Sequence, residues 1–369
     1  MSATRLPARA AAPGVTTSAR LATKERVFLG VPPKRSEGVV TEKLRAEQAR
    51  KDSMHPELEE WFARRTWQRP AWTVEELREA KRGRRVSVVL PALNEEATVG
   101  AIVAEIVPLT LGPDPLVDEL VVLDSGSTDD TRVVAEAAGA RVVGREEALP
   151  GIEPWPGKGE VLWRSLAATD GDLVVFLDSD LIDFDAAFVP ALLGPLLVEP
   201  GVAMVKGFYR RPLRVETAEL DAGGGRVTEL LVRPLLAALH PRLTAVVQPL
   251  GGEYAATRQL LESVPFSAGY GVEIGLLLDT EATRGLDALA QVNLGVRKHR
   301  NRSLLQLGVM ARQILSAVLG RGGPHDRGAA ITQFRQVADE WLPTSSDVEM
   351  RQRPPMREVL LRSSARDAD

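Results

Sequence analysis

Residues 172–183 read Asp172-Leu173-Val174-Val175-Phe176-Leu177-Asp178-Ser179-Asp180-Leu181-Ile182-Asp183, and their reading decides the fold. Residues 173–177 form a short unbroken apolar run containing β-branched residues, the pattern of a strand buried on both faces of a parallel sheet. The run stops at Asp178-Ser179-Asp180. Carboxylates at the carboxyl end of such a strand stand on the rim where open α/β sheets bind ligands. Two like charges held there favour a cation between them. Hard oxygen donors suit Mg2+ or Mn2+, which would face a diphosphate. Asp also starts turns and caps helices, and for an isolated Asp-x-Asp that explanation would suffice.

On either side of this stretch, strands and helices alternate. Strands are expected at 86–90, 119–123 and 140–143. Helices are expected at 98–107 and 131–138 and, beyond a Pro/Gly loop at 150–159, at 160–168. Such spacing predicts an α/β fold with a doubly wound, mostly parallel sheet and helices on both faces. The first strand runs into Pro91-Ala92-Leu93-Asn94-Glu95-Glu96, placing Asn94 and Glu95 where a base or ribose can be hydrogen-bonded. The second runs into Asp124-Ser125-Gly126-Ser127-Thr128-Asp129-Asp130. Each also reads as a loop with a helix cap. Three rim motifs on alternate strands of one sheet rarely coincide by chance.

Composition bounds the rest. The chain has 369 residues, 44% hydrophobic and 26% charged, as in ordinary globular proteins. It has no cysteine, so disulfides, zinc-thiolate sites and thiol catalysis are excluded, and a reducing cytoplasm fits. No apolar run reaches the length of a membrane span, and the first 30 residues lack a secretory core. Residues 1–85 carry 19 Lys+Arg against 11 Asp+Glu, making a basic leader without the interleaved aromatics of a nucleic-acid site. The expected organisation is a disordered leader at 1–53, with Met54 as an alternative start, and an arm at 54–84 bearing Trp61, Trp67 and Trp72. Thr73 and Glu76 form a capping box in that arm. The alternating α/β half follows at 85–210, a looser second half at 211–320, and a polar, partly ordered tail at 321–369 whose neighbour is a helical extension at 304–319. From residue 202 onward the pattern loosens, and ordered runs are expected at 202–209, 227–239, 248–254, 272–280 and 288–296.

Two further features read as anion sites. Lys158 lies in the Pro/Gly loop, a flexible ammonium suited to a phosphate, although most such lysines are merely solvated. Gly223-Gly224-Gly225 opens onto Arg226, a helix start and Thr228, where freed amides, a guanidinium and a hydroxyl can hold an anion. A flexible linker with a capping threonine is the alternative, but a linker has no need of the arginine.

The rim motifs resemble those of nucleotide-sugar glycosyltransferases of the GT-A fold. Further along, Pro156-Gly157-Lys158-Gly159-Glu160, Phe208-Tyr209-Arg210-Arg211-Pro212, Gly223 through Leu230, Gln248-Pro249-Leu250, Gly269-Tyr270-Gly271-Val272-Glu273-Ile274-Gly275 and Val296-Arg297-Lys298-His299-Arg300-Asn301-Arg302 resemble the actinobacterial glucosyl-3-phosphoglycerate synthases. The resemblance spans roughly residues 61–319. It departs at 214–222, which is short for the family, and in the long leader.

This resemblance implies a retaining transferase moving glucose from UDP-glucose or GDP-glucose to the 2-hydroxyl of 3-phosphoglycerate. The product is a precursor of glucosylglycerate and methylglucose lipopolysaccharides. It implies Mg2+ or Mn2+ held by Asp180 and His299. Donor contacts would come from Pro91, Leu93, Asn94, Glu95, Ser125, Lys158, Asp178, Ser179 and Asp180. The acceptor would be held by Gly225, Arg226, Thr228, Tyr270 and Asn301. Lys158, the Leu250 carbonyl, Glu273 and Arg297 would surround the reacting centre. A cytoplasmic homodimer without nucleic-acid or membrane partners completes the expectation. The rivals are an inverting GT-A transferase with another acceptor, which should show a catalytic-base carboxylate, and a non-catalytic nucleotide-sugar sensor, which should lack a metal or phosphate ligand.

Overall fold

The computed structural model describes residues 54–366, apart from 211–212, 216–217, 221–224, 297–302, 324–325, 327–329 and 338–339. The expected leader at 1–53 lies outside them. In chain order the first strands are β1 (Thr66–Trp67), β2 (Val86–Ala92), β3 (Glu119–Asp124), β4 (Arg141–Gly144), β5 (Leu173–Phe176), β6 (Met204–Arg210), β7 (Leu213–Val215) and β8 (Ala218–Leu220). Beyond them come β9 (Tyr254–Thr257), β10 (Phe266–Ser267), β11 (Leu289–Val296), β12 (Ala330–Val337), β13 (Glu340–Asp347) and β14 (Gln352–Arg353).

Eight of these form one sheet in the order β1-β11-β6-β9-β5-β2-β3-β4. β9 pairs antiparallel with both β5 and β6, while the other neighbours within this sheet pair in parallel. The sheet is therefore mixed and mostly parallel. Side-chain alternation divides each central strand between two cores. Leu173 and Val175 face one side with Val86, Val88 and Leu90, whereas Val174 and Phe176 face the other with Val89. Both faces are covered, which explains the continuous apolar runs. The helices Val99–Ile106 and Phe188–Val198 contribute to the first core, and Lys158–Ala168 and Val272–Arg284 to the second.

The expected arm does more than pack on the domain. β1 pairs with β11 and becomes an edge of the sheet. Trp61, buried in the second core, donates its indole N–H to the Leu286 carbonyl at 3.0 Å. Trp72 presses on Gly194, where any Cβ would overlap the indole ring. The helix Val74–Lys81 opens with the Thr73–Glu76 capping box that the sequence indicated.

Three expectations change. β5, β2 and β3 are immediate neighbours, so the three rim motifs stand side by side rather than on alternate strands. The run expected at 248–254 is a loop that becomes a strand only at Tyr254. The helix expected over 227–239 contains a π-turn, Thr228–Val232, before the α-helix Arg233–Leu239. Pro234 has no N–H and its ring crowds the preceding turn, so widening the helix just before it relieves an otherwise broken register. The polar tail also carries the β12–β13 hairpin, β14 and the helix Met356–Arg366.

Candidate active site

β2, β3 and β5 are parallel neighbours, so their carboxyl ends open on one edge. The loops there are tied together by their own polar side chains. Asn94, held at φ 57°, accepts the Thr128 amide on its Oδ1 at 2.9 Å, and its amide donates to the Ser127 hydroxyl at 2.9 Å. The Asn94 Oδ1 thus ties the first rim loop to the second, and the helix Val99–Ile106 is preceded by Thr98 rather than capped by Asn94. The amide of Glu95 donates to the Thr131 hydroxyl at 2.8 Å. Buried Asp124 accepts the Gly126 and Ser127 amides, while the Ser125 amide donates to the Ala92 carbonyl.

Asp178-Ser179-Asp180 follows β5 after the single residue Leu177. The Ser179 hydroxyl donates to the Pro91 carbonyl at 2.7 Å, and the Ser179 carbonyl accepts the Thr98 hydroxyl at 2.6 Å. Pro91 and Ser179 therefore fix the Asp-x-Asp turn against the first rim loop. Leu93 beside them is exposed.

Lys158 differs most from its sequence reading. It is the first residue of the helix Lys158–Ala168 rather than a loop lysine. Its Nζ donates to Asp178 Oδ1 at 2.5 Å and to Glu273 Oε1 at 2.6 Å. Burial opposes the charge, but the two carboxylates outweigh it and hold the ammonium well above its ordinary pKa. Glu273, in the first turn of Val272–Arg284, is itself buried. Gly252 closes the other side, where a Cβ would overlap the Asp178 carboxylate. The ammonium is oriented at the sheet rim, and an incoming anion would receive it by taking the place of one carboxylate.

Under this pair lies a group that the sequence reading missed. Lys206 on β6 is buried, donates to the Gly251 carbonyl at 2.5 Å and stands 4.6 Å from the centre of the Tyr254 ring. Burial lowers its pKa to about 8, Lys158 adding to the effect while Glu273, Glu253 and Asp178 oppose it. The Tyr254 hydroxyl is buried without a hydrogen-bond partner among the described residues, and burial, reinforced by Glu273, pushes its pKa well up. A lysine inside the apolar run of Met204–Arg210 was the available sequence signal. Leu250 lies in the Gln248–Gly251 turn that Lys206 supports, with the Gly251 amide donating to the Gln248 carbonyl at 3.1 Å.

On the other expected side, Gly225 takes φ 81° and its carbonyl accepts the Glu229 amide at 3.0 Å. Arg226 is exposed and Thr228 buried. Gly223 and Gly224 lie outside the described residues. The Tyr270 backbone amide donates to Gln313 Oε1 at 2.8 Å. Arg297, His299 and Asn301 also lie outside the described residues.

For a metal, Asp180 offers a hard carboxylate at the end of the Asp178–Asp180 turn on this rim. No cluster of three or more His, Asp or Glu gathers among the described residues. Mg2+ and Mn2+ commonly bind one or two protein groups and complete their shell with phosphate oxygens and water, so this sparse, hard donor set fits.

A family model described as glycosyl transferase family 2 matches residues 87–221. The glucosyl-3-phosphoglycerate synthase of Mycolicibacterium smegmatis is 62% identical over 296 residues, covering 80% of this chain and 97% of that protein. That of Petrotoga mobilis is 40% identical, covering 74% and 86%. A crystal structure of the Mycobacterium tuberculosis enzyme with Mn2+, UDP-glucose and phosphoglyceric acid matches with TM-score 0.72 at 58% identity, covering 80% of this chain and 98% of that one. Another, with Mn2+, UDP and glucosyl-3-phosphoglycerate, matches with TM-score 0.73 at 57% identity, covering 80% and 99%. With this identity over nearly the whole of its relatives, and with the rim motifs gathered on one sheet edge, the chain belongs to the glucosyl-3-phosphoglycerate synthase family.

Proposed function

We propose that this protein moves glucose from UDP-glucose, or alternatively GDP-glucose, to the 2-hydroxyl of 3-phosphoglycerate with retention at the anomeric carbon. The observation that carries the reading is Lys158, held between Asp178 and Glu273 on the shared edge of β2, β3 and β5. Pro91, Leu93, Asn94, Glu95, Ser125 and the Asp178–Asp180 turn form the donor side. Gly225, Arg226, Thr228, Tyr270 and Asn301 form the acceptor side. The chain thus divides its chemistry between a donor half, 85–210, and an acceptor half, 211–320.

Asp180 and His299 would hold Mg2+ or Mn2+, which when bound supplies positive charge to the diphosphate. Lys158 exchanges a carboxylate partner for a phosphate oxygen, and together with Arg297 it bears the charge that develops as the anomeric bond breaks. The acceptor 2-hydroxyl oxygen bonds to the anomeric carbon on the face that UDP leaves, and its proton passes to the departing phosphate oxygen. Glu273 grips glucose hydroxyls and the Leu250 carbonyl faces the reacting centre, so catalysis is mostly positioning and electrostatics. The product would feed glucosylglycerate and methylglucose lipopolysaccharide formation, and the enzyme would act as a cytoplasmic homodimer. No helix among the described residues is long and apolar enough to cross a membrane.

Release of UDP from UDP-glucose, followed with and without 3-phosphoglycerate, tests the reading. Acceptor-dependent release is expected. Equal release in both reactions would mean hydrolysis and would overturn it.

A further inference from the structure

We propose that Arg353, returned from the C-terminal segment, is a positioning residue that sets Lys158 against Glu273. The proposal rests on the donor role given to Lys158 above. Arg353 is buried, and its guanidinium holds Glu160 through two bonds, Nε to Oε2 at 2.8 Å and Nη2 to Oε1 at 2.8 Å. Nη2 also donates to the Glu153 carbonyl at 2.6 Å. Glu160 is fully buried two residues after Lys158 and receives a second guanidinium, that of Arg164, at 2.7 Å. Arg164 in turn binds the carbonyls of Arg145, Leu149 and Ile152. The loop entering Lys158 and the first turn leaving it are therefore anchored to one buried carboxylate.

The Arg353 guanidinium lies 3.6 Å from the centre of the Trp155 ring and 4.9 Å from that of Trp163. Trp163 donates its indole N–H to the Pro354 carbonyl at 3.0 Å. A planar guanidinium that is both bidentate and stacked fixes orientation as well as charge, which an ammonium cannot do.

The same segment grips the other partner through its backbone. β14 pairs antiparallel with β10, Arg353 opposite Phe266, and the Ala268 amide donates to the Arg351 carbonyl at 3.1 Å. The Ala268 carbonyl accepts the Glu160 amide at 2.9 Å. Gly157 and Gly159, on either side of Lys158, are pressed so closely on residues 267–269 that a Cβ at either would overlap their backbone. Glu273 follows that strand by six residues, in the first turn of its helix. Arg353 thus holds the Lys158 turn by its side chain and the approach to Glu273 by its main chain. Small displacements of charged groups at a reacting centre are costly.

The test compares Arg353→Met, Arg353→Lys, Lys158→Ala and the double variants by steady-state kinetics and UDP titration, each well below its own melting temperature. Arg353→Met should raise the KM for UDP-glucose about tenfold while that for 3-phosphoglycerate stays within about twofold. Arg353→Lys should recover part of the loss. In the Lys158→Ala background, Arg353→Met should add less than about twofold, because both act through one group. If Arg353→Met does not fold, Arg353→Lys alone and with Lys158→Ala carries the same comparison. Lowered melting with unchanged kinetics, or effects that multiply with Lys158→Ala, would overturn the proposal by showing a purely structural arginine. UDP binding unaffected by Lys158→Ala would instead be a failure of the donor reading, separate from that of the clamp.

Discussion

Lys158 and Glu273 are 115 residues apart in the chain and meet at 2.6 Å, with Asp178 on the other side of the same ammonium. Two carboxylates keep the lysine charged and aimed, and under the proposed reading the donor diphosphate takes the place of one of them. Lys158→Ala should weaken UDP-glucose binding roughly ten- to a hundredfold, the scale of a charge-assisted contact, and leave 3-phosphoglycerate binding nearly unchanged. Calorimetric titration of both ligands checks this. An unchanged donor affinity would remove Lys158 from the donor site.

Arg226→Ala should give the opposite selectivity. Arg226 and Thr228 follow the positive-φ Gly225 on the proposed acceptor side, and Arg226 is exposed. Loss of its guanidinium should weaken 3-phosphoglycerate by roughly ten- to a hundredfold and spare UDP-glucose. Equal losses for both ligands would indicate one shared pocket.

Lys206 gives a pH signature. Its folded pKa, about 8, lies below its ordinary 10.5 because the amine is buried, with Lys158 near it and Glu273, Glu253 and Asp178 opposing. Between those two pH values the unfolded chain holds a proton that the folded amine has lost, so raising pH through this window favours the folded state. Below pH 8 both forms are protonated and the penalty of the buried charge is complete. Relative to Lys206→Met, wild-type stability should therefore rise by on the order of 3 kcal/mol from pH 8 to 10.5, the window set by its two pKa values. Denaturant unfolding of both proteins across that range measures it. A pH-independent difference would mean that Lys206 does not titrate there.

Metal removal gives another outcome. Asp180→Ala and His299→Ala should each abolish transfer, and EDTA should do so reversibly. The dependence of UDP affinity on Mn2+, measured by titration, should vanish in Asp180→Ala. Full activity in EDTA would contradict metal-assisted transfer.

Much of the frame was legible because local chemistry repeats it. Apolar runs ending in Asn94, Asp124 and Asp178 indicated the three rim strands, and Thr73 with Glu76 marked a helix start that the structure contains. The expected helix at 304–319 has the observed bounds, Leu304–Leu319. The partners of Lys158 were not legible, because the contact joins distant segments through the tertiary packing of Gly157 and Gly159. Nor was Arg353, since Gln352-Arg353-Pro354-Pro355 has the composition of a surface loop and gains its meaning only from Glu160. The reversal of β9 was hidden because a four-residue apolar strand carries no direction in its sequence.

The most direct measurement of the central claim is the NMR structure of the product formed from UDP-glucose, Mg2+ and 3-phosphoglycerate. The account predicts one glucose joined through its anomeric carbon to the 2-oxygen of 3-phosphoglycerate, in the same α configuration that it had in the donor. A β-linked product, or glucose attached to any other oxygen, would contradict it.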